Sequence, residues 1–342
     1  MKEIYVGENE AGQRFDKLLN KLLCNAPGGF VYKMLRKKNI TLNDKKASGN
    51  EKLVMGDKIK LFLSDETFDK FSFDKRKNAT DIINSAGRLQ KFKPLDIIYE
   101  DDDFLFVNKP YGVLSQKAEA SDVSLNEQIL SYLLESNAIN LQDLNTFRPS
   151  VCNRLDRNTS GIIIAGKSLK ALQFASKMLA NRTMDKYYLT LVKGTVKNDM
   201  TIDGYLKKDK KTNKVTVSHN EKDGDRIETG IKVLASSFDV TLLKIKLITG
   251  KTHQIRAHLA SIGHPIIGDR KYGDEAINDK YRNEQDVKYQ LLHSYELVIP
   301  DTNGEFPGIS NKTFTARPPF VFEMLIKKME EETGGNLELQ RP

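Results

Sequence analysis

The sequence of 342 residues contains two cysteines, no tryptophan and no hydrophobic run long enough to cross a bilayer. Cys24 and Cys152 are far apart and have no neighbouring metal ligands, so we expect neither a disulfide framework nor a zinc site. The N-terminus, Met-Lys-Glu-Ile-Tyr-Val-Gly-Glu, lacks the apolar core of a signal peptide. We therefore expect a soluble, cytoplasmic protein without a membrane segment.

Positive charge is in moderate excess. The 54 Lys and Arg residues outnumber the 46 Asp and Glu residues, and the formal net charge is +8. An excess of this kind suits a polyanionic partner such as nucleic acid. The length favours two domains, each large enough to bury its own core.

One charged stretch, at 153–161, lies between two apolar segments. It places Asp156 between Arg154 and Arg157 and is followed by the apolar run 162–165, which predicts a buried strand. Two neighbouring guanidinium groups would keep the carboxylate ionised, as a nucleophile or base requires. A solvated cluster of ion pairs is the alternative. The position of the loop between two buried strands favours a functional site.

A second informative stretch covers residues 249–269. The spacing predicts a helix that Thr252 caps and Gly263 ends, with an apolar face towards the core and Arg256 on another face. Gly250-Lys251-Thr252 does not complete a phosphate-binding loop, because position 245 is isoleucine rather than glycine. The three histidines of this stretch do not have the spacing of a metal site.

The N-terminal segment predicts two short helices with basic outer faces, followed by strands. The basic residues at helical spacing are Arg14, Lys17, Lys33, Arg36 and Lys37. Such faces can bind phosphates, although lysine and arginine also solvate the outer faces of ordinary amphipathic helices.

Together these motifs resemble the RluA family of pseudouridine synthases. The stretch 153–161 is similar to the family signature His-Arg-Leu-Asp-x-x-Thr-Ser-Gly, with Asn153 in place of the histidine. The segment 186–194 resembles Lys-x-Tyr-x-x-x-Val-x-Gly, and Tyr188 matches its tyrosine. The segment 249–269 resembles Thr-Gly-Arg-x-His-Gln-Ile-Arg, with Lys251 in place of the first arginine. Residues 12–63 resemble the alpha-L RNA-binding module of ribosomal small-subunit protein four.

The resemblance implies an α+β fold in which a small alpha-L RNA-binding domain at 1–63 precedes a catalytic domain at 95–326. The catalytic domain is expected to contain a mixed, largely antiparallel sheet. Residues 64–94 are predicted to be a linker. Part of it is expected to dock on a domain through its phenylalanines, and one short helix is expected at 79–89. Residues 327–342 are predicted to be a flexible tail.

The implied reaction is the isomerisation of uridine to pseudouridine within RNA, with no metal and no other cofactor. The implied catalytic residues are Asp156, Tyr188 and Arg256. Asp156 would attack the sugar or help to remove its 2′ proton, and Tyr188 would stack on the base and assist proton removal at C5. The predicted substrate-binding residues are Arg154, Arg157, Lys251 and His253. The predicted RNA-binding residues are Arg14, Lys17, Lys33, Arg36 and Lys37.

The resemblance also implies a monomer acting on large-subunit rRNA. Three alternatives remain open: a tRNA substrate, a catalytically silent RNA-binding or ribosome-assembly protein, and a hydrolase of glycosidic bonds. Standard glycosidases need two cooperating carboxylates. The motifs offer Asp156 alone, and Asp269, the nearest candidate for a second, is predicted to be structural.

Overall fold

The N-terminal part of the protein contains a small antiparallel sheet. The computed structural model describes residues 1–7, 9–72, 94–119, 121–140, 144, 146–209, 214–237 and 239–334. The strands are β1 (Lys2–Tyr5), β2 (Ile40–Leu42), β3 (Lys45–Lys46) and β4 (Lys58–Leu61), in the order β1-β4-β2-β3. Helices α1 (Phe15–Leu22) and α2 (Phe30–Arg36) bury their apolar faces in the same core as this sheet.

A third helix, α3 (Asp65–Phe71), extends this packing beyond the predicted boundary at residue 63. Ser64 begins the helix by accepting a hydrogen bond from the backbone N–H of Thr67. Phe68 and Phe71 pack against the N-terminal core, and the ring of Phe71 lies 4.8 Å from that of Phe30. Residues 64–72 are therefore part of the first unit rather than linker, while the helix predicted at 79–89 lies outside the described residues.

The remaining strands form a second sheet, in the order β11-β10-β12-β13-β9-β14-β8-β6-β5. Its pairings are antiparallel except for the parallel pair β14–β8, so the prediction of a mixed, largely antiparallel sheet is confirmed. Two short strands, β7 and β15, pair with β8 and β14. The strands are β5 (Ile97–Glu100), β6 (Phe104–Lys109), β7 (Ser150–Val151), β8 (Ser160–Gly166), β9 (Asp185–Lys193), β10 (Met200–Lys208), β11 (Val215–Ser218), β12 (Asp225–Ser237), β13 (Val240–Leu247), β14 (Leu292–Val298) and β15 (Thr313–Thr315).

Both faces of strand β8 are covered. Ile163 and Ala165 point into one apolar core, and Ile162 and Ile164 point into another on the opposite face. The apolar run that follows the charged stretch is therefore a strand buried on both sides, as predicted. The loop that precedes β8 therefore ends at a strand that is rigidly held.

Within the described ranges, the α-helices that surround this sheet are α4 (Leu125–Glu135), α5 (Leu169–Ala180), α6 (Gln254–Ser261), α7 (Glu275–Gln285) and α8 (Phe320–Thr333). Ser168 caps α5 by accepting a hydrogen bond from the backbone N–H of Ala171. Helix α7 was not predicted from the sequence. The tail predicted from residue 327 is wrong for residues 327–333, since α8 continues to Thr333 and buries Met329. Among the described residues, no helix has the length and apolar character needed to span a membrane.

Candidate active site

The loop between β7 and β8 carries Asp156, and buried polar groups hold its backbone. The ammonium of Lys109 is fully buried and donates hydrogen bonds to the carbonyl oxygens of Arg157, Val113 and Pro110, at 3.1, 2.8 and 3.1 Å. The hydroxyl of Ser115 accepts from the N–H of Leu155 and lies 3.0 Å from its carbonyl oxygen. Residues on both sides of Asp156 are therefore fixed. Lys109 is the last residue of β6 and thus anchors the loop to the sheet.

Asn153, which stands where the resembled family has histidine, connects this loop to β8. Its side-chain oxygen accepts from the N–H of Ile164 at 2.8 Å, and its side-chain nitrogen donates to the carbonyl oxygen of Ile162 at 3.2 Å. The amide thus takes the place of a neighbouring strand in the hydrogen-bonding pattern. This contact gives Asn153 a role in positioning the loop.

The end of the loop is fixed by close packing of β8 against β14. Gly161 has φ of +111°, and a Cβ atom at this position would overlap the carbonyl oxygen of Ser294. Only glycine accepts both the backbone conformation and the close approach. The Ser160 hydroxyl lies 2.8 Å from Nδ1 of buried His293, whose Nε2 lies 2.9 Å from the carbonyl oxygen of Ala316.

Helix α6 presents Arg256 from its first turn, but it does not begin as predicted. The N-cap position is His253, which has left-handed backbone angles, and Thr252 does not cap the helix. The side chain of Gln254 instead accepts from the N–H of Lys251 at 3.1 Å and donates to the carbonyl oxygen of Glu228 at 3.0 Å. Gln254 thus ties the start of α6 to β12, and no described side chain caps the helix. Ile255, Leu259 and Ile262 pack towards the core as predicted.

Three side chains form the central interaction of the site. Nη1 of Arg256 donates to Oδ2 of Asp156 at 2.7 Å. Nε and Nη2 of Arg256 donate to the two oxygens of Asp269, at 2.7 and 2.8 Å. The Asp269 side chain is 0% exposed, and the backbone N–H groups of Lys271 and Tyr272 also donate to it. Asp269 therefore fixes the orientation of the guanidinium, and Nη1 points to Asp156.

Burial and charge act in opposite directions on this group. Burial opposes the charge of Arg256, but the hydrogen bonds and charge of Asp269 and Asp156 outweigh it and raise the arginine pKa. Burial likewise opposes the charge of Asp269, yet the hydrogen bonds and charge of Arg256, with the two backbone donors, lower the carboxyl pKa. The structural role predicted for Asp269 fits this arrangement, although its function in positioning Arg256 was not anticipated.

The arginines next to Asp156 in sequence are not its ion-pair partners, contrary to the prediction from the stretch itself. Arg154 is exposed at the cleft. Nη2 of Arg157 lies 4.0 Å from Oδ1 of Asp122, and Arg157 is outside the described residues that line the cleft. The ion-pair partner of Asp156 is instead Arg256, which comes from a distant helix.

Tyr188 lies on β9 and contributes to the core beneath the cleft. Its side chain is almost buried, with 6% exposure, and packs in the same apolar core as Ile245 and Leu292. Burial raises the pKa of its phenol to about 12, opposed by a hydrogen bond with Ser294. The phenol is therefore protonated at neutral pH. Tyr187 points to the opposite face and lines a different groove.

His253 and Lys251 lie at the rim. Nε2 of His253 is 3.8 Å from Oδ2 of Asp156, and its Nδ1 is 2.9 Å from the hydroxyl of Tyr272. Burial lowers the pKa of His253 despite the opposing charge of Asp156, so the ring is neutral at pH 7. Nζ of Lys251 donates to Asp225 at 2.8 Å in an exposed pair.

An open cleft of about 620 Å³ brings these residues together. Six of the seven predicted catalytic and substrate-binding residues line it, with Arg157 the exception: Arg154, Asp156, Tyr188, Lys251, His253 and Arg256. Two basic residues that sequence reasoning missed, Arg182 and Lys186, line it as well. Lys186 is part of the Lys-x-Tyr motif, so its spacing of two residues from Tyr188 was an available signal.

The predicted RNA-binding residues lie on the N-terminal unit, and Arg14, Lys17, Lys33, Arg36 and Lys37 are all exposed. Asp16, which is almost buried, accepts from Nε and Nη2 of Arg14 at 3.0 and 2.8 Å. The hydroxyl of Tyr32 donates to the same carboxylate at 2.7 Å. Asp16 therefore holds Arg14 and the half-exposed ring of Tyr32 together, a pairing that sequence reasoning did not anticipate.

Comparison with known proteins identifies the family. Residues 103–261 match the family model described as RNA pseudouridylate synthase. The chain is 31% identical over 303 residues to the ribosomal large subunit pseudouridine synthase C of Vibrio vulnificus, covering 88% of this chain and 89% of that protein. It is 32% identical over 336 residues to an uncharacterised RNA pseudouridine synthase of Mycoplasma genitalium, covering 94% and 98%.

A solved structure agrees at the level of the fold. Human RNA pseudouridylate synthase domain containing 4 superposes with a TM-score of 0.57 at 18% identity, over 74% of this chain and 98% of that one. The sequence matches are stronger, because they exceed 30% identity over most of both proteins. This chain belongs to the RNA pseudouridylate synthase family.

Proposed function

We propose that this protein isomerises uridines to pseudouridine in large-subunit ribosomal RNA, with Asp156 as the catalytic carboxylate. The observation that carries the proposal is the ion pair between Asp156 and Arg256, supported by buried Asp269, at the wall of a cleft large enough for a nucleotide. The ribosomal substrate is supported by relatives of Vibrio and Haemophilus that are named ribosomal large subunit pseudouridine synthase C.

The reaction breaks the C1′–N1 bond of uridine, turns the base and joins C1′ to C5. The proton of C5 is released, and N1, which leaves C1′ with the bonding electron pair, takes up a proton from solvent, so the product is an isomer of uridine. The target base has to leave its stack before C1′ is reachable. Asp156 then attacks C1′ or helps to remove the 2′ proton, and either route needs a carboxylate held in a fixed orientation. Arg256 provides that orientation through a charge-assisted hydrogen bond.

Tyr188 provides an aromatic surface within the cleft for the extracted base. Its pKa of about 12, raised by burial, disfavours the predicted role in accepting the C5 proton at neutral pH. Stacking and hydrogen bonding by the neutral phenol are the roles that this environment favours. Arg154, at the mouth of the same cleft, is suited to hold the flipped nucleotide.

The N-terminal unit binds flanking RNA through its exposed basic residues. Asp16 holds the exposed guanidinium of Arg14 in a fixed orientation, which suits it to contact a phosphate. Arg157, Lys251 and His253 act at the rim of the cleft. The protein acts as a monomer in the cytoplasm, where its ribosomal substrate is assembled.

Tritium release from RNA labelled at uridine C5 tests this function. Unmodified transcripts of large-subunit rRNA and of tRNA are incubated with wild-type protein and with Asp156→Ala. We expect release from large-subunit rRNA that disappears in the variant. Release from tRNA alone would overturn the proposed substrate and retain the chemistry. Binding of RNA without release from either transcript would identify a silent RNA-binding protein.

A further inference from the structure

Lys186 and Arg182 form a basic pair on the wall of the Asp156 cleft. Lys186 precedes Tyr188 by two residues on β9, so both side chains emerge on the same face of the sheet and line the same cleft. Arg182 lies in the connection between α5 and β9 and lines this cleft too. The two cations are close enough for the charge of Arg182 to act on Lys186.

Lys186 differs from the other lysines of the neighbouring strands. Each of those has a carboxylate partner: Lys193 with Asp274 at 2.6 Å, Lys244 with Glu296 at 2.9 Å and Lys246 with Asp185 at 2.8 Å. Within the described part of the chain, no carboxylate lies within the 4.0 Å ion-pair distance of Lys186. Burial, followed by the positive charge of Arg182, lowers the pKa of Lys186.

A half-buried ammonium without a counter-ion is unfavourable for the folded protein. Burial removes water from the charge, and the neighbouring guanidinium repels it. Both effects are reversed when an anion enters between the two groups. The cleft is open, so an anionic ligand can reach them. The arrangement is therefore one that a bound anion completes.

The charges of the cleft are also divided in a way that suits a nucleotide. Asp156 is already paired with Arg256 and is not within ion-pair distance of Lys186. The cleft thus presents a carboxylate at one position and two cations at another. A nucleotide combines an electrophilic glycosidic carbon with a negatively charged phosphate, and the two ends match these positions.

We propose that Lys186 and Arg182 bind a backbone phosphate of the RNA beside the uridine that enters the cleft, which rests on the proposed function. Arg182 supplies a planar fork of donors and Lys186 a mobile point charge. The phosphate site fixes the ribose so that C1′ faces Asp156. Lys186 is accordingly a substrate-positioning residue, and it makes no contact with the bonds that break or form.

The test compares Lys186→Met with Lys186→Arg in tritium release from the RNA that the wild-type protein modifies. Lys186→Met keeps the length of the side chain and removes its charge. We expect KM to rise about tenfold, kcat at saturating RNA to change less, and the salt dependence of RNA binding to decrease by roughly one phosphate contact. Lys186→Arg should restore KM to within about threefold of wild type.

Lys193→Met is the matched control, since it removes a lysine from the other end of the same strand, outside the cleft. It should leave KM and the salt dependence unchanged. A Lys186→Met protein with wild-type KM and salt dependence would overturn the phosphate site. An equal loss in Lys186→Met and Lys186→Arg with a lowered unfolding midpoint would also overturn it, in favour of a structural role.

The two proposals fail in different ways. Absence of tritium release by the wild-type protein on every RNA would overturn the proposed function. Full activity in Lys186→Met, with release still abolished in Asp156→Ala, would overturn only the phosphate site.

Discussion

The carboxylate of Asp269 accepts hydrogen bonds from Nε and Nη2 of Arg256 at 2.7 and 2.8 Å, which leaves Nη1 to donate to Asp156. This relationship makes a buried residue outside the cleft lining responsible for the position of the arginine at its wall. The carboxylate of Asp156 thus depends on a chain of two charge-assisted interactions that join the β7–β8 loop, α6 and the turn after it.

Asp269→Asn should impair both folding and catalysis. It leaves the buried guanidinium with an incomplete partner, which we expect to lower the free energy of unfolding by about 3–5 kcal/mol. The rate of tritium release should fall more than RNA affinity, because Arg256 loses its fixed orientation. Urea unfolding and single-turnover kinetics measure the two effects. Asp279→Asn, which breaks an exposed pair with Arg282 on α7, is the control and should leave both unchanged.

Lys109→Met should loosen the loop that carries Asp156. The buried ammonium donates to three carbonyl oxygens, and methionine leaves these acceptors without donors at a cost of about 1–3 kcal/mol for each buried group left unpaired. Hydrogen exchange of the amides at 153–159 should accelerate relative to those of β9. Protection equal to that of wild type would contradict the role of Lys109 as an anchor.

Asn153→Ala tests whether Asn153 holds the loop in place or selects the substrate. The change removes both hydrogen bonds to β8 and should lower the free energy of unfolding by about 1–3 kcal/mol. The ratio of activities on rRNA and tRNA transcripts should stay as in the wild type. A shifted ratio without loss of stability would show instead that Asn153 contacts the RNA.

Stability in acid should depend on His293. Burial lowers the pKa of this fully enclosed imidazole from 6.5 to about 4. Between pH 6.5 and 4, His293 is therefore protonated in the unfolded chain but still neutral in the folded protein. Acid then favours the unfolded state, and the free energy of unfolding falls by about 3 kcal/mol as pH drops from 6.5 to 4. His293→Asn should flatten this acid dependence, whereas His219→Asn, at an exposed position, should leave its slope intact. Urea titrations between pH 4 and 7 provide the comparison.

Local patterns predicted the parts of the fold that depend on local interactions. The apolar run at 162–165 was predicted to be a buried strand, and both of its faces are buried. The predicted start of α6 was wrong. Thr252 was a favourable local cap by spacing, but it does not cap the helix, and Gln254 ties the start of α6 to β12 through tertiary contacts. Those contacts join residues more than twenty positions apart, which spacing along one helix cannot reveal.

In the candidate site, too, local signals were predicted and contacts between distant residues were not. The motif that contains Asp156 was visible as a charged loop between apolar segments, but its flanking arginines suggested the wrong ion-pair partners. Arg256 was assigned through family resemblance, and the geometry places it 2.7 Å from Asp156. Asp269 was predicted only to be structural. The importance of Asp269 and of Lys109 depends on which distant side chain or backbone group each contacts in the folded protein, and local spacing does not show this.

Single-turnover tritium release by Asp156→Asn tests the central claim most directly, since this change keeps the size of the side chain and removes the carboxylate. We expect release from large-subunit rRNA to fall by at least about 10⁴-fold, the order seen when an essential catalytic group is removed. RNA affinity should remain within about threefold of wild type, and the unfolding midpoint should confirm a folded variant. Release within tenfold of the wild-type rate, from a preparation without deamidated protein, would contradict the assignment of Asp156 as the catalytic carboxylate.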